Sequence, residues 1–181
     1  NLNTIEKNAF DSSSIENLSI PSSISDLKPG WCNNAMKLIH IQIIPNRRGK
    51  CLSYFDDKYI LGKSDTKSDI FDVLIFARRD IEKAIIPSFI KKIDQFAFCN
   101  CNQLKIVEFE KNSKLEIIDS CSFSGSSIEN IFIPSSVTCI GDSCFASCEN
   151  YKSIQFSEDS QLFSIGKFAF KNCVSMVQIN T

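Results

Sequence analysis

Nine cysteines are the residues of this 181-residue chain that could most readily do chemistry. The pairs Cys99-x-Cys101 and Cys144-x3-Cys148 have the close spacing that zinc-binding thiolates often show. A structural zinc site needs four ligands, and the chain has one histidine and no C-x-x-C pair to complete a set. We therefore predict no metal site and assign the cysteines to the core, where a thiol behaves as a small apolar side chain.

The alternative use of cysteine is the disulfide bond. Cys101, Cys148 and Cys173 share one position of a sequence repeat, and Ala35 and Ser126 occupy that position in other coils. The odd number of cysteines and this placement among small residues favour free thiols. Bridges between stacked coils stay an alternative, because strands about 4.8 Å apart bring Cα atoms into range only when the side chains also point correctly.

No catalytic constellation accompanies the thiols. His40 is the only histidine, and it falls on an outward position of a predicted strand, so we interpret it as a surface residue. The G-x-S-x-G elbow of hydrolases and the G-x-x-x-x-G-K-[ST] phosphate loop are both missing from the sequence. The sequence therefore predicts a non-enzymatic protein without a cofactor.

Charge and hydropathy argue against two classes of partner. Lys and Arg number 20 against 21 Asp and Glu, and the pairs Arg47-Arg48 and Arg78-Arg79 are too few for a nucleic-acid stripe. We interpret both pairs as solvated turns. No apolar run approaches the ~20 residues that span a bilayer. We expect neither nucleic-acid binding nor membrane insertion by this segment.

An internal repeat organises the whole chain. The triplet Ile-Pro-Ser occurs at 20–22, 86–88 and 133–135, and apolar or small residues recur at fixed distances on both sides of each proline. The last two triplets are 47 residues apart, a unit that divides into coils of about 22 and 25 residues. Such periods are typical of a solenoid, in which stacked coils bury a continuous core. The pattern runs to both ends, so we expect a fragment of a longer array.

Each coil carries one alternating apolar segment of the kind that forms a strand. The prediction is a mostly β, right-handed solenoid of the α/β repeat type, with a parallel sheet on one face and few or no regular helices. The predicted strands lie near 17–20, 40–43, 83–86, 106–109, 130–133 and 153–156. Five phenylalanines should stack as a buried row between the coils: Phe10, Phe98, Phe123, Phe145 and Phe170.

One step of the repeat is too long. Pro21 and Pro87 are 66 residues apart, 19 more than the unit, and the excess contains two apolar runs around the polar stretch 62–69. We predict a β-hairpin at 54–76, inserted into a single solenoid that spans 1–181 and protruding from it as a separable element. Two irregular coils without a hairpin stay an alternative.

The best-preserved coil resembles the leucine-rich repeats of the BspA-like family. The residues that carry the resemblance are Ile133, Pro134, Ser136, Val137, Ile140, Gly141, Phe145 and Cys148. The likeness covers almost the whole chain and is weakest at 27–43, where Trp31-Cys32 replaces Ala-Phe. The resemblance implies a leucine-rich-repeat solenoid and a surface-associated binding or adhesion protein, and it does not indicate a ligand.

A candidate binding surface follows from the strand alternation. Outward positions of the predicted strands are mostly polar, but Ile85, Ile106 and Phe132 are large apolar residues on consecutive coils. We predict that they cluster and bind a protein partner, with Lys83, Glu108, Asn130 and Gln155 as a polar rim. The alternative is that these side chains only pair with one another across the sheet.

The sequence leaves two functions open. Protein binding at the cell surface is what the family resemblance implies. An intracellular scaffold built on the same repeats is favoured by the free thiols and by the lack of a recognisable signal peptide, which would also allow a cytoplasmic location.

Overall fold

The structure is a computed structural model that describes residues 2–46 and 50–180. In this part of the chain the regular secondary structure is entirely β, and it has no helix. The strands, in chain order, are β1 (Thr4–Ile5), β2 (Asn17–Pro21), β3 (Asp26–Leu27), β4 (His40–Ile44), β5 (Ser53–Phe55), β6 (Tyr59–Gly62), β7 (Val73–Ala77), β8 (Lys83–Ile86), β9 (Lys92–Ile93), β10 (Ile106–Phe109), β11 (Ile117–Ile118), β12 (Asn130–Ile133), β13 (Cys139–Ile140), β14 (Ser153–Phe156), β15 (Ser164–Ile165) and β16 (Gln178–Asn180).

The longer strands form parallel sheets on one face of a solenoid. Strands β8, β10, β12, β14 and β16 make a five-stranded parallel sheet, and β2 and β4 make a separate parallel pair. The six predicted strands are confirmed to within a residue at each end. Their positions were predictable because inward apolar residues alternate with outward ones, as the burial pattern of β12 shows.

A second face carries short strands that the sequence did not indicate. Two-residue strands β9, β11, β13 and β15 pair in parallel, and β1 pairs with β3. Each of these coils therefore pairs with a neighbour on two faces. A two-residue strand contributes one inward and one outward side chain, so it leaves no periodicity to read in the sequence.

A regular corner follows each short strand of the C-terminal coils. Two residues four positions apart adopt positive φ, for example Phe96 and Asn100 in one coil and Cys121 and Gly125 in the next. Left-handed backbone favours Gly and Asn, which accounts for part of the Gly and Asn content of the repeat. Backbone N–H groups at the corner donate to carbonyls of the following coil, as Phe98 does to Ser122 at 2.7 Å.

The predicted phenylalanine row is confirmed in the C-terminal coils. Phe98, Phe123 and Phe145 are fully buried and stack face to face, with ring centroids 4.8 and 5.4 Å apart. Phe170, in the last described coil, continues the row at 5.5 Å and is partly buried. The prediction was wrong for Phe10, which packs edge-on against Trp31 in a separate cluster.

The core consists of two clusters rather than one. The N-terminal cluster surrounds Trp31 and Leu38, and the larger C-terminal cluster surrounds the phenylalanine row. Both sheets are interrupted at the same place, since β4 does not pair with β8 and β3 does not pair with the short strands that follow. We call this boundary the seam.

The inserted segment lies at the seam. Strand β6 pairs antiparallel with β7, as predicted for a hairpin, and β5 adds a third antiparallel strand that was not predicted. Strand β7 also pairs in parallel with β9, so the insert extends the short-strand sheet. The domain boundaries, a single solenoid at 1–181 with an insert at 54–76, stay a prediction.

The expectation that the hairpin protrudes was wrong. Strand β6 is buried along its whole length. Tyr59 and Leu61 belong to the C-terminal cluster, whereas Ile60 and Phe76 belong to the N-terminal one. Because successive side chains of a strand point to opposite faces, the hairpin packs one face against each cluster. The hairpin therefore connects the N-terminal and C-terminal clusters instead of protruding from the solenoid.

Candidate functional site

The predicted surface residues lie on the outer face of the five-stranded sheet. Ile85, Ile106 and Phe132 are 44%, 48% and 52% exposed on the adjacent strands β8, β10 and β12. Their neighbours along each strand point inward, and Ala84 and Ile131 are buried. The strand alternation therefore presents three large apolar side chains to solvent from a continuous backbone scaffold.

The strand register staggers these three residues. Ile106 is level with Lys83 on one side and Asn130 on the other, whereas Ile85 is level with Glu108. Phe132 is level with Gln155 on β14. The apolar side chains thus form a zigzag of diagonal neighbours with polar side chains between them, rather than a single continuous row.

The predicted polar rim is held by side-chain contacts. Lys83 Nζ lies 2.8 Å from Glu108 Oε1, an ion pair that joins β8 to β10 across the diagonal between the two isoleucines. Asn130 Oδ1 accepts a hydrogen bond of 2.8 Å from Ser153 Oγ. Both pairs are exposed, so they contribute little stability, and their main effect is to orient the groups around the apolar residues.

A groove that sequence reasoning missed lies where these strands end. Phe132, Pro134 and Ser135 line its floor, the residues 107–113 line one side, and the residues 155–159 line the other. The cause is loop length: seven residues follow β10 and β14 before the next strand, but only five follow β12. The alternation of longer and shorter coils was visible in the sequence and could have indicated the groove.

The face of the N-terminal sheet differs in chemistry. Its outward residues Asn17, Ser19, His40 and Gln42 are polar and exposed, and Ser19 Oγ lies 3.4 Å from Gln42 Oε1. These residues, with the seam residues Tyr54 and Asp57, line a polar cleft. His40 is exposed, as predicted.

Arg79 corrects the prediction of a solvated arginine turn. It is 4% exposed, and its guanidinium donates to the carbonyl of Ala97 at 3.1 Å and lies 4.6 Å from the Phe76 ring centroid. Its other contacts are the sulfurs of Cys101 at 3.5 Å and Cys32 at 3.9 Å. Within residues 2–46 and 50–180 no carboxylate pairs with it, and its Nε has no partner.

The neighbouring Arg78 is only partly exposed. Its guanidinium pairs with Asp80 at 2.6 Å and with Asp57 of the β5–β6 turn at 3.3 Å. Arg79 therefore contacts coils on both sides of the seam within the core, and Arg78 contacts the β5–β6 turn nearer the surface. The remaining predicted pair, Arg47 and Arg48, lies outside the described residues.

The cysteines are free thiols embedded in the fold. Burial raises the pKa of Cys32 and of Cys99 to about 12 and that of Cys148 to about 11. The thiols of Cys148 and Cys173 donate to the carbonyls of Phe123 and Phe145 at 3.1 and 3.0 Å. Neutral, hydrogen-bonded thiols are poor nucleophiles and poor metal ligands, so the buried thiols Cys32, Cys99 and Cys148 serve as core side chains.

The residues that the structure describes form neither a metal-binding cluster nor a membrane-spanning helix. No group of three or more His, Cys, Asp or Glu side chains is arranged to hold a metal ion there. The same residues contain no helix with the length and apolar character that a membrane crossing requires.

Comparison with solved structures supports the solenoid fold. A leucine-rich repeat protein from Eubacterium ventriosum superposes with a TM-score of 0.76 at 20% identity, covering 92% of this chain and 42% of that one. A leucine rich cell surface protein from Faecalibacterium prausnitzii gives 0.68 at 21% identity, covering 98% and 51%. The pneumococcal vaccine antigen PcpA gives 0.50 at 28% identity, covering 68% and 31%. The chain spans about half or less of the length of these proteins.

Sequence comparison identifies the family. No curated protein matches the chain. The family model of the BspA type leucine rich repeat region matches in six copies over residues 1–59 and 71–181, leaving out most of strand β6 and the loop that follows it. Repeats of this type account for both the strand spacing and the absence of helix in the described coils. The chain therefore belongs to the BspA-type leucine-rich repeat family.

Proposed function

We propose that this chain is a non-enzymatic module that binds another protein through the outer face of its five-stranded sheet, in surface-associated adhesion or recognition. The observation that carries the proposal is the exposure of Ile85, Ile106 and Phe132, each close to half, on three adjacent strands. Leucine-rich repeat proteins are typically protein-binding, which supports the same class of function.

The chemistry of the face suits a protein contact. Interfaces gain most of their energy from a few apolar or aromatic anchors surrounded by polar groups that exclude water. Phe132 is the aromatic anchor here, and the rim of Lys83, Glu108, Asn130 and Gln155 provides the polar groups. The anchors stand on strands of one continuous sheet, so little backbone conformational entropy is lost when they bind.

The test is capture of a partner from the native source, followed by affinity measurements with variants. We expect the double variant Ile85→Ser, Phe132→Ser to bind at least about 2 kcal/mol more weakly than the wild type. Ile44→Ser is the matched control, since Ile44 is 45% exposed on the N-terminal sheet. If the double variant folds normally and binds the partner with undiminished affinity, the outer sheet face is not the binding site.

A scaffold role is the second candidate, and the cysteines favour it. All nine are free, as expected of a protein kept in a reducing compartment. Cell fractionation and protease treatment of intact cells from the native source distinguish the two candidates. Recovery of the protein in the soluble fraction, shielded from external protease, would favour the scaffold. Digestion of the protein on intact cells would favour the surface proposal.

A further inference from the structure

The groove beside Phe132 carries an inference about the kind of partner, and it rests on the proposed function. We propose that this groove binds an extended polypeptide segment of another protein, which places an apolar side chain on Phe132 and basic side chains beside Glu158 and Asp159. The shape of the groove, the exposure of its floor and the negative charge on one wall all favour such a segment.

The shape of the groove is set by three loops. The two seven-residue loops, 110–116 and 157–163, rise on either side of the five-residue loop 134–138. Two surface depressions result, one on each side of Phe132, and both are also lined by Ser157. Two adjoining depressions separated by a single short coil fit an extended chain better than a folded domain.

The floor provides the anchor. Phe132 is 52% exposed even though it lies in the middle of the five-stranded sheet, where β10 and β14 flank it on both sides. Pro134 continues the apolar floor. Covering an aromatic ring in such a position removes apolar surface from water and gives the bound segment a fixed register.

Charged residues on the walls determine which charge the bound segment should carry. Glu110, Glu158 and Asp159 lie on the two loops, and Lys111 is the one cation among the described residues that line the groove. Glu110 accepts a hydrogen bond from the Ser88 backbone N–H of the preceding coil at 2.8 Å, which holds its carboxylate on the side away from Phe132. Glu108 at the edge of the floor is already neutralised by Lys83. Since Lys111 balances Glu110 on the first wall, the excess negative charge lies on the second wall, where Glu158 and Asp159 complement Lys or Arg side chains.

The experiment compares two pools of short fluorescent peptides by polarisation, using the whole chain. Peptides of one pool contain a leucine flanked by lysines, and those of the other have glutamate in place of lysine. We expect the lysine pool to bind about tenfold more tightly at low salt, with the difference shrinking as salt is added. Equal binding of the two pools, or no binding of either, would overturn the proposal.

Variants locate the site. We expect Phe132→Ala to weaken binding of the lysine pool about tenfold. Glu158→Lys with Asp159→Lys should abolish the preference for lysine. The control Glu6→Lys with Glu149→Lys changes the net charge by the same amount at exposed residues outside the groove. This control should retain the preference for the lysine pool.

Amide chemical shifts measured on addition of the peptides should change at 107–113, 132–135 and 155–159. Shifts confined to the cleft at His40 would contradict the assignment.

The native partner separates this proposal from the broader one. Binding of the native partner could be lost in the double variant Ile85→Ser, Phe132→Ser but retained when the charges of Glu158 and Asp159 are reversed to lysine. In that case the groove proposal fails and the sheet-face proposal stands. If all of these variants bind the native partner normally, both proposals fail.

Discussion

The junctions between the C-terminal coils and the junction at the seam belong to one repeat array but are held together differently. On the C-terminal side, neighbouring coils are joined by long strands, by short strands and by the corner, around one row of stacked rings. At the seam neither sheet continues from the solenoid coil before it, and the contacts pass through the hairpin, Arg79 and polar side chains. The corner 30–34, for example, meets the corner 96–100 through Asn33 Oδ1 and the Cys99 thiol, 3.4 Å apart.

This difference explains where a binding surface could form. The five-stranded sheet offers a broad, continuous face, and it carries the exposed apolar residues Ile85, Ile106 and Phe132. The N-terminal pair β2 and β4 presents mostly polar side chains. At the seam, the hydroxyl of Tyr59 accepts from the N–H of Ile85 at 3.2 Å and lies 3.4 Å from its carbonyl, so it covers the edge of the five-stranded sheet.

The largest expected difference between the regions is in the aromatic row. Phe145→Ala removes a ring stacked between Phe123 and Phe170, and we expect a loss of about 3–5 kcal/mol in the free energy of unfolding. Phe10→Ala should cost clearly less, because Phe10 is partly buried and outside the row. Urea unfolding measures both, and equal losses would contradict the distinction between the two clusters.

The edge contact of Tyr59 should have the next largest effect. Tyr59→Phe keeps the buried ring but leaves the Ile85 N–H without its partner, so we expect a loss of about 1–3 kcal/mol. Tyr54→Phe is the control, since its hydroxyl donates to the Asp57 carbonyl in an exposed turn and should change stability by less than about 0.5 kcal/mol. A Tyr59→Phe protein as stable as the wild type would show that the edge does not need the hydroxyl.

The loop of the hairpin should matter less than its strands, because it is attached mainly through one carboxylate. Asp72 accepts hydrogen bonds from the Ser64 N–H and Oγ at 2.8 and 2.7 Å. Replacing 62–69 with a short Gly-rich turn should therefore leave the fold intact, with a loss below about 2 kcal/mol in urea unfolding. Global unfolding of this variant would mean that the loop is an essential part of the solenoid.

The same carboxylate predicts a dependence on pH. Burial acts to raise the pKa of Asp72, but the hydrogen bonds from Ser64, together with its own backbone N–H and the Lys91 side chain, outweigh burial, and the pKa lies below its ordinary value. A carboxyl with a lowered pKa in the folded state stabilises the protein above about pH 4, and this contribution is lost as the pH falls through the folded-state pKa. In urea unfolding at a series of pH values, Asp72→Asn should reduce the acid sensitivity of stability, whereas Asp69→Asn, at a fully exposed residue, should not.

The smallest expected effect concerns the buried thiols. Cys148→Ala removes the S–H donor to the Phe123 carbonyl and should cost about 1 kcal/mol, whereas Cys148→Ser keeps a donor at that position. Alkylation at neutral pH, followed by mass spectrometry, should label the partly exposed Cys51 before the buried Cys148. Labelling of both at the same rate in the native protein would contradict a buried, neutral Cys148 thiol.

The parts of the fold that could be predicted are those with a repeating physical cause. Inward residues such as Val107, Ile131 and Ile154 recur because each coil must bury one side of its strand, and the strands followed from them. The exposure of Ile85, Ile106 and Phe132 on the outer face followed from the same alternation. The seam could be located from the excess of 19 residues, but its packing could not.

The parts that were missed depend on contacts between residues far apart in the chain. Arg79 is buried because Ala97, Cys101 and Cys32 from two other coils surround it, and its own neighbours in the sequence are charged. The hairpin was expected to protrude because an insertion usually does, but its alternating side chains fill both clusters. The groove depends on loops from three successive coils, so no single motif marks it.

Hydrogen exchange of the whole chain, with and without the captured partner, is the sharpest test of the sheet-face proposal. If the five-stranded sheet face is the binding surface, the partner should slow exchange in the segments 83–89, 106–113, 130–135 and 153–159. Exchange in β2 and β4 should stay unchanged. Protection centred on β2, β4 or the hairpin, with the five-stranded sheet unaffected, would contradict the proposal.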